Sequence, residues 1–157
     1  MNDIHIRWII RRDIPRVLEI ERASFGMPWT EDDLIQQLRH RWIVGVLAEV
    51  ETPAASGSPA IAGFCVYELG KKKLRIVNLA VAPEFRRQGI GRALVARLQQ
   101  KLRRTGRDRV EVLVVDRNLD CHLFLRRLGF RATQILRDLF ESRVRHDVPL
   151  AAGREGT

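Results

Sequence analysis

Apolar residues in this chain change period repeatedly, and each change marks an element boundary. Ile4 to Ile10 reads as an opening strand. Ile14, Val17, Leu18 and Glu21 fall on helical spacing in a segment running to about Phe25, with Asp13 placed to cap it and Pro15 tolerated in its first turn. Gly26-Met27-Pro28 breaks that pattern. Thr30 opens a second helix, with Asp33 in a capping-box relation and an end near His40. Trp42 to Val50 reads as a strand, Glu51 to Pro59 as a loop, and Ala60 to Leu69 as the next strand. Gly70 to Lys73 is a tight basic turn, so the strand Leu74 to Ala82 is expected to run back in a hairpin. A helix from about Gly89 to Arg104 follows, with Gly106 at its C-terminal end. Val110 to Val115 is a β-branched run expected to be buried on both faces, and Asn118 can cap a helix ending near Leu128. Strands are expected around Arg131 to Leu139 and from Arg143 to Leu150, the last at a sheet edge because it holds Pro149. Ala151 to Thr157 has no apolar anchor and reads as a disordered tail after a single domain over residues 1–150. Pattern alone therefore gives a mixed α/β protein, one sheet with helices on both faces.

Composition narrows this only a little. A chain of 157 residues suits one core, and no apolar run approaches the roughly 20 residues of a membrane span. Cys65 and Cys121 sit in apolar patterns without metal-ligand spacing, so two buried thiols, no metal site and a cytoplasmic location are expected. The formal charge of +9 favours polyanionic partners. The basic residues are spread over helix faces with no interleaved aromatic stripe, so no specific nucleic-acid binding is predicted.

Chemistry concentrates between Leu74 and Val95. An apolar strand ends at Ala82-Pro83, the basic turn Arg86-Arg87-Gln88-Gly89-Ile90-Gly91 follows, and a helix opens at once. A helix N-terminus exposes backbone N–H groups without intrahelical partners and carries partial positive charge, which suits a phosphate. Gly89 and Gly91 would let an anion approach the backbone, and Arg86, Arg87 and Arg92 add full charges. The turn lacks the Lys-Ser/Thr of a Walker loop and the third glycine of a dinucleotide loop.

The motif R-x-x-G-x-G behind the strand N-L-A-V-x-P resembles the acyl-CoA motif of the GNAT N-acetyltransferase superfamily. The likeness extends over about Ile4 to Leu150. Within the superfamily it is similar to the RimI type, which acetylates the N-terminal alanine of a small-subunit ribosomal protein. Ile20 to Phe25, Pro28 to Glu31, Arg117-Asn118 and Leu128 to Phe130 carry that closer match. The resemblance implies a single GNAT-type domain with a central mixed, mostly antiparallel sheet of about seven strands. It implies transfer of an acetyl group from acetyl-CoA to a primary amine, most simply a protein N-terminus, with a ribosome or ribosomal protein as partner. Lysine and small-molecule amines are alternative acceptors, and a non-catalytic acyl-CoA-binding module is an alternative role.

On this reading, backbone donors from Gln88 through Gly89, Ile90, Gly91 and Arg92 to Ala93 take the pyrophosphate. Leu79, Ala80 and Val81 pair with the pantetheine arm as an added strand would, and the Val81 N–H polarises the carbonyl. Asn118 contacts the cofactor arm, a role shared with plain helix capping. Trp29 lines the acceptor groove or belongs with Phe25 to the core. The family's glutamate base and tyrosine acid fall on Leu113 and Leu125, neither of which carries a proton. Glu111, two residues before Leu113 on the same sheet face, is the candidate base, ahead of Asp116, Glu68 and His122. The alternative is catalysis by orientation alone, with water moving the protons.

Overall fold

The structure, a computed structural model, describes residues 3–52, 57–115, 119–132 and 147–153, with side chains described for 3–52, 57–112 and 123–130. Among the described residues seven strands form one sheet: β1 (Ile4–Trp8), β2 (Ile43–Val50), β3 (Ala60–Leu69), β4 (Lys73–Val81), β5 (Arg109–Val115), β6 (Arg131–Ala132) and β7 (Asp147–Gly153). Their spatial order is β1-β2-β3-β4-β5-β7-β6. Every neighbouring pair is antiparallel except β4 and β5, which run parallel. The described core rests on β1 to β5, and β7 with β6 extends the sheet at the far side.

The described α-helices that cover it are α1 (Ile14–Ser24), α2 (Glu31–Arg39), α3 (Ile90–Thr105) and α4 (Leu119–Arg127). One face packs Leu47, Phe64, Val66 and Ala80 under α1 and α2. The other packs Leu74, Ile76, Val110 and Val112 under α3, with Leu125 of α4.

Local chemistry acts largely as the sequence implies. Thr30 Oγ1 accepts from the Asp33 N–H at 3.1 Å, and the Asp33 carboxylate accepts from the Thr30 N–H at 2.9 Å, closing the capping box of α2. The Gly70 N–H donates to Lys73 O at 2.9 Å across the β3–β4 hairpin. Gly106 ends α3 in the left-handed region, at φ 74°.

Three expectations are corrected. Asp13 does not cap α1 through its side chain. Its carboxylate takes two hydrogen bonds from Arg7, at 2.8 and 2.9 Å, and one from the Ile10 N–H at 2.8 Å, because a buried carboxylate gains most from a forked cation. Ala151 to Gly153 belong to β7, where they pair with Glu111, Val110 and Arg109, so the ordered sheet passes residue 150. Nor is the strand holding Pro149 an edge: β7 lies between β5 and β6. Pro149 sits opposite Leu113, one residue short of the β6 pairing, which begins at Leu150. The strand expected over Arg131 to Leu139 is described only at Arg131 and Ala132. The remainder lies outside the described residues, as do Arg143 to His146 of the last expected strand.

Candidate active site

A bulge in β4 makes the site. Val66 pairs with Asn78 and Tyr67 with Ile76, which leaves Val77 as an extra residue. Side-chain alternation resets there. Ile76, Leu79 and Val81 face α3, whereas Val77 and Ala80 face α1 and α2, and Asn78 reaches α1. On its other side β4 pairs with β5 only from Lys73 opposite Arg109 to Ile76 opposite Val112. The two strands then part, and Val77 to Val81 have no β5 partner in that register.

The open edge has a definite polarity. Ala82 N–H donates to Ala62 O on β3 at 2.7 Å. Successive residues of a strand aim their peptide groups at opposite edges, so Ala80 and Asn78 also face β3, while Leu79 and Val81 aim theirs at the opening. Arg86 Nε accordingly donates to Val81 O from outside the sheet, at 3.3 Å. Of the three residues expected to receive the cofactor arm, Leu79 and Val81 are available. Ala80 is not, since its peptide groups belong to the ladder with β3.

A turn over Pro83–Phe85 leads from this edge to α3. Arg87 and Gly89 are both left-handed, at φ 63° and 84°, and curl the chain into the helix. For Arg87 this conformation costs about 1–3 kcal/mol, the kind of strain often stored at ligand clamps. Gly89 N-caps α3 with no side-chain cap. The first intrahelical bond runs from the Ala93 N–H to Gly89 O at 3.0 Å. The amides of Gly89, Ile90, Gly91 and Arg92 thus precede the ladder, and the Ala93 amide, expected among the donors, is already used. Arg86, Arg87, Gln88 and Arg92 are exposed around this end.

The two glycines have different causes. Gly89 is required by its positive φ and has open space around it. A Cβ on Gly91 would lie 2.8 Å from Phe124 Cζ, so its bareness lets α4 approach α3.

Glu111 is placed wrongly for a base. It stands opposite Arg75, six residues from Val81, about 20 Å along the strand at roughly 3.3 Å per residue. Its carboxylate is held by Lys73 Nζ and Arg109 Nε, each at 2.8 Å. Burial pushes its carboxyl up, but the hydrogen bonds and charges of Arg109 and Lys73 together carry it below the usual carboxylate range. Glu68, opposite Arg75 and Ile43, lies at the same far end. Leu125 is fully buried in the α3-side core. Asp116 and Asn118, with the side chains of Leu113, Cys121 and His122, lie outside the described residues. Burial raises the Cys65 thiol, which marks it as inert packing.

Phe25 and Trp29 both pack, partly buried, against the core under α1 and α2. Beside them lies a group that the motif reading passed over. Glu21, 3% exposed, accepts from Asn78 Nδ2 at 2.6 Å and from the Trp29 N–H at 2.8 Å. Burial pushes its carboxyl up, against those two hydrogen bonds. The signal was present in the sequence, as an acidic residue on the apolar stripe of α1.

A strand edge opened by a bulge, running into an uncapped helix N-terminus ringed by arginines, defines an α/β protein that binds an extended, phosphate-ended ligand. The chain belongs to the Acetyltransferase (GNAT) family, which matches residues 14–130. It is 25% identical over 143 residues to the [Ribosomal protein bS18]-alanine N-acetyltransferase of Escherichia coli K12, covering 91% of this chain and 86% of the relative. The crystal structure of the ribosomal-protein-S18-alanine N-acetyltransferase from Escherichia coli superposes with a TM-score of 0.78 at 22% identity, covering 96% of this chain and 94% of the other. The PaiA N-acetyltransferase of Thermoplasma acidophilum, solved in complex with coenzyme A, superposes at 0.76 with 17% identity, covering 97% and 99%.

The protein is an acetyl-CoA-dependent N-acetyltransferase. Its donor set fits that co-substrate: amides and arginines for a diphosphate, and an open strand edge for an amide-bearing arm. Among the described residues no cluster of three or more His, Cys, Asp or Glu could hold a metal ion, and no helix is long and apolar enough to cross a membrane.

Proposed function

We propose that this protein acetylates a protein N-terminal α-amine, with a ribosomal protein as the acceptor class. The domain extends to the end of β7 at Gly153. The observation that carries the reading is the opened β4 edge, with Leu79 and Val81 directed outward and leading to the α3 N-terminus. The amides of Gly89, Ile90, Gly91 and Arg92 receive the diphosphate, with Arg86, Arg87 and Gln88 around them. Leu79 and Val81 pair with the pantetheine arm, and the Val81 N–H donates to the acetyl carbonyl oxygen as negative charge develops there. Acetyl-CoA supplies an acyl carbon already activated as a thioester.

Acceptor choice follows from proton handling. Glu111 is ion-paired far from Val81, and Leu125 carries no proton. An α-amine with a pKa near ~8 is partly neutral at physiological pH, whereas a lysine near ~10.4 is almost wholly charged. Among the described residues neither of those positions supplies a base at the reacting edge, which favours the α-amine, with orientation supplying much of the rate and water carrying the protons. Supporting the ribosomal acceptor is the Escherichia coli relative, whose name specifies a ribosomal-protein alanine. A cytoplasmic location belongs to the same reading. The test is incubation with labelled acetyl-CoA and a panel of Ala-start ribosomal peptides, internal lysine peptides and small amines, read by mass spectrometry. Label on the α-amine of the Ala-start peptides is expected; label confined to lysines or small amines refutes the assignment.

A further inference from the structure

We propose that Glu21 is a positioning residue for the acceptor: its carboxylate ties the turn ending in Trp29 to Asn78 on β4, and so sets the acceptor-side wall against the strand edge that carries the thioester. The inference rests on the acetyltransferase reading above.

Three segments meet at this carboxylate. One oxygen accepts from Asn78 Nδ2 at 2.6 Å and the other from the Trp29 N–H at 2.8 Å, while Glu21 itself belongs to α1. Asn78 reaches α1 because the bulge at Val77 resets the alternation of β4; an uninterrupted strand would turn it, with Leu74 and Ile76, toward α3. Asn78 immediately precedes Leu79, the first residue whose peptide groups face the opening. Trp29 continues the connection between α1 and α2 and packs on the core beside Ala80 and Ala82. The clamp therefore ties the interhelical turn to the strand whose outer edge faces the opening.

A carboxylate is a costly choice for packing alone. Glu21 is almost fully buried, and among the described residues it has no cationic partner. An acceptor-only group is nevertheless the group that can receive two N–H donors from separate segments at once. The α3 cradle lies on the opposite face of the sheet, so loosening the clamp displaces the acceptor and not the nucleotide.

The test uses the full chain and the variants Glu21→Ala, Glu21→Gln and Asn78→Ala. Acceptor kinetics, CoA affinity by calorimetry and hydrogen exchange of the Trp29 amide are measured on each. Glu21→Ala is expected to speed Trp29 exchange and to lower kcat/KM for the acceptor by about 10–100-fold, as a small misplacement does, with CoA affinity and stoichiometry unchanged. Glu21→Gln can still accept from the Trp29 N–H and pair with a flipped Asn78, and is expected to restore most of the loss. If Glu21→Ala does not fold, Asn78→Ala, which removes one of the two bonds, gives the same readouts. Unchanged Trp29 exchange, or CoA binding lost in parallel with turnover, overturns the proposal. A wild-type protein that acetylates no amine refutes the function reading instead, and the Trp29 exchange then decides alone whether the clamp exists.

Discussion

Proline substitution at two adjacent residues separates the groove from the ladder. Proline removes one backbone N–H and fills its place with a ring carbon. At Ala80 that N–H faces β3, where the strand pairs opposite Phe64. At Val81 it faces the opening, where β5 has already parted from β4. Ala80→Pro leaves a buried carbonyl of β3 unpaired, which costs about 1–3 kcal/mol. At a shift of roughly 2–4 °C per kcal/mol for a chain of this size, its melting temperature falls by about 2–12 °C. Val81→Pro sacrifices no bond of the ladder. It deletes the donor proposed for the thioester carbonyl, a type of loss that costs about 10²–10³-fold in kcat. The assay is paired: thermal unfolding by circular dichroism, and kcat from mass-spectrometric product formation at saturating acetyl-CoA. Val81→Pro is expected to be the more stable and the less active of the two. If it keeps its kcat while unfolding as early as Ala80→Pro, the deduced polarity of the edge is wrong.

Other outcomes follow from the same geometry. Gly91→Ala drives a Cβ to 2.8 Å from Phe124 Cζ and is expected to cost about 1–3 kcal/mol in urea unfolding, with partial recovery when combined with Phe124→Leu. Glu111→Gln is expected to leave kcat within about twofold of wild type, since a rim ion pair is worth only about 0–1 kcal/mol; a loss of activity that follows the titration of one carboxylate would reinstate Glu111 as the base. The Arg7 hydrogen bonds hold the Asp13 carboxyl below its ordinary value, aided by the Ile10 amide. Its contribution to stability is therefore full above the unfolded pKa near ~3.9 and is lost as pH falls through the lower folded value. Asp13→Asn should be less stable than wild type at pH 7 and converge on it in acid, as followed by denaturant titration across pH.

Much of this protein is written in short-range pattern. The Thr30–Asp33 capping box, the hairpin at Gly70 to Lys73 and the glycine ends of α3 each involve residues a few positions apart, and each formed as its local chemistry dictates. The motif from Asn78 to Gly91 was equally legible, because a strand, a turn and a helix N-terminus in series are a local arrangement. Glu21 shows the boundary of that legibility. Its place on the apolar stripe of α1 was visible, but Asn78, its partner 57 residues away, was not.

What only the tertiary structure decided depends on neighbours that no spacing specifies. The extra residue Val77 exists only relative to the register of β3, and it settles which faces Asn78 and Leu79 take. The groove exists only because β5 leaves β4 after Ile76. Glu111 shares a sheet face with Leu113 in any strand, yet its distance from Val81 was set by how β5 aligns beside β4. Gly91 reads as bare for the sake of an anion until Phe124 of α4 is seen to fill the space that a Cβ would need. Sequence by itself determines turns, periods and caps such as Thr30–Asp33, since those are satisfied within a few residues of chain, whereas the Asp13 carboxylate is taken by Arg7 of β1. Register, strand order and the partner of a buried polar group are settled when distant segments compete to bury apolar surface and pair their hydrogen bonds, and the site is made of those outcomes.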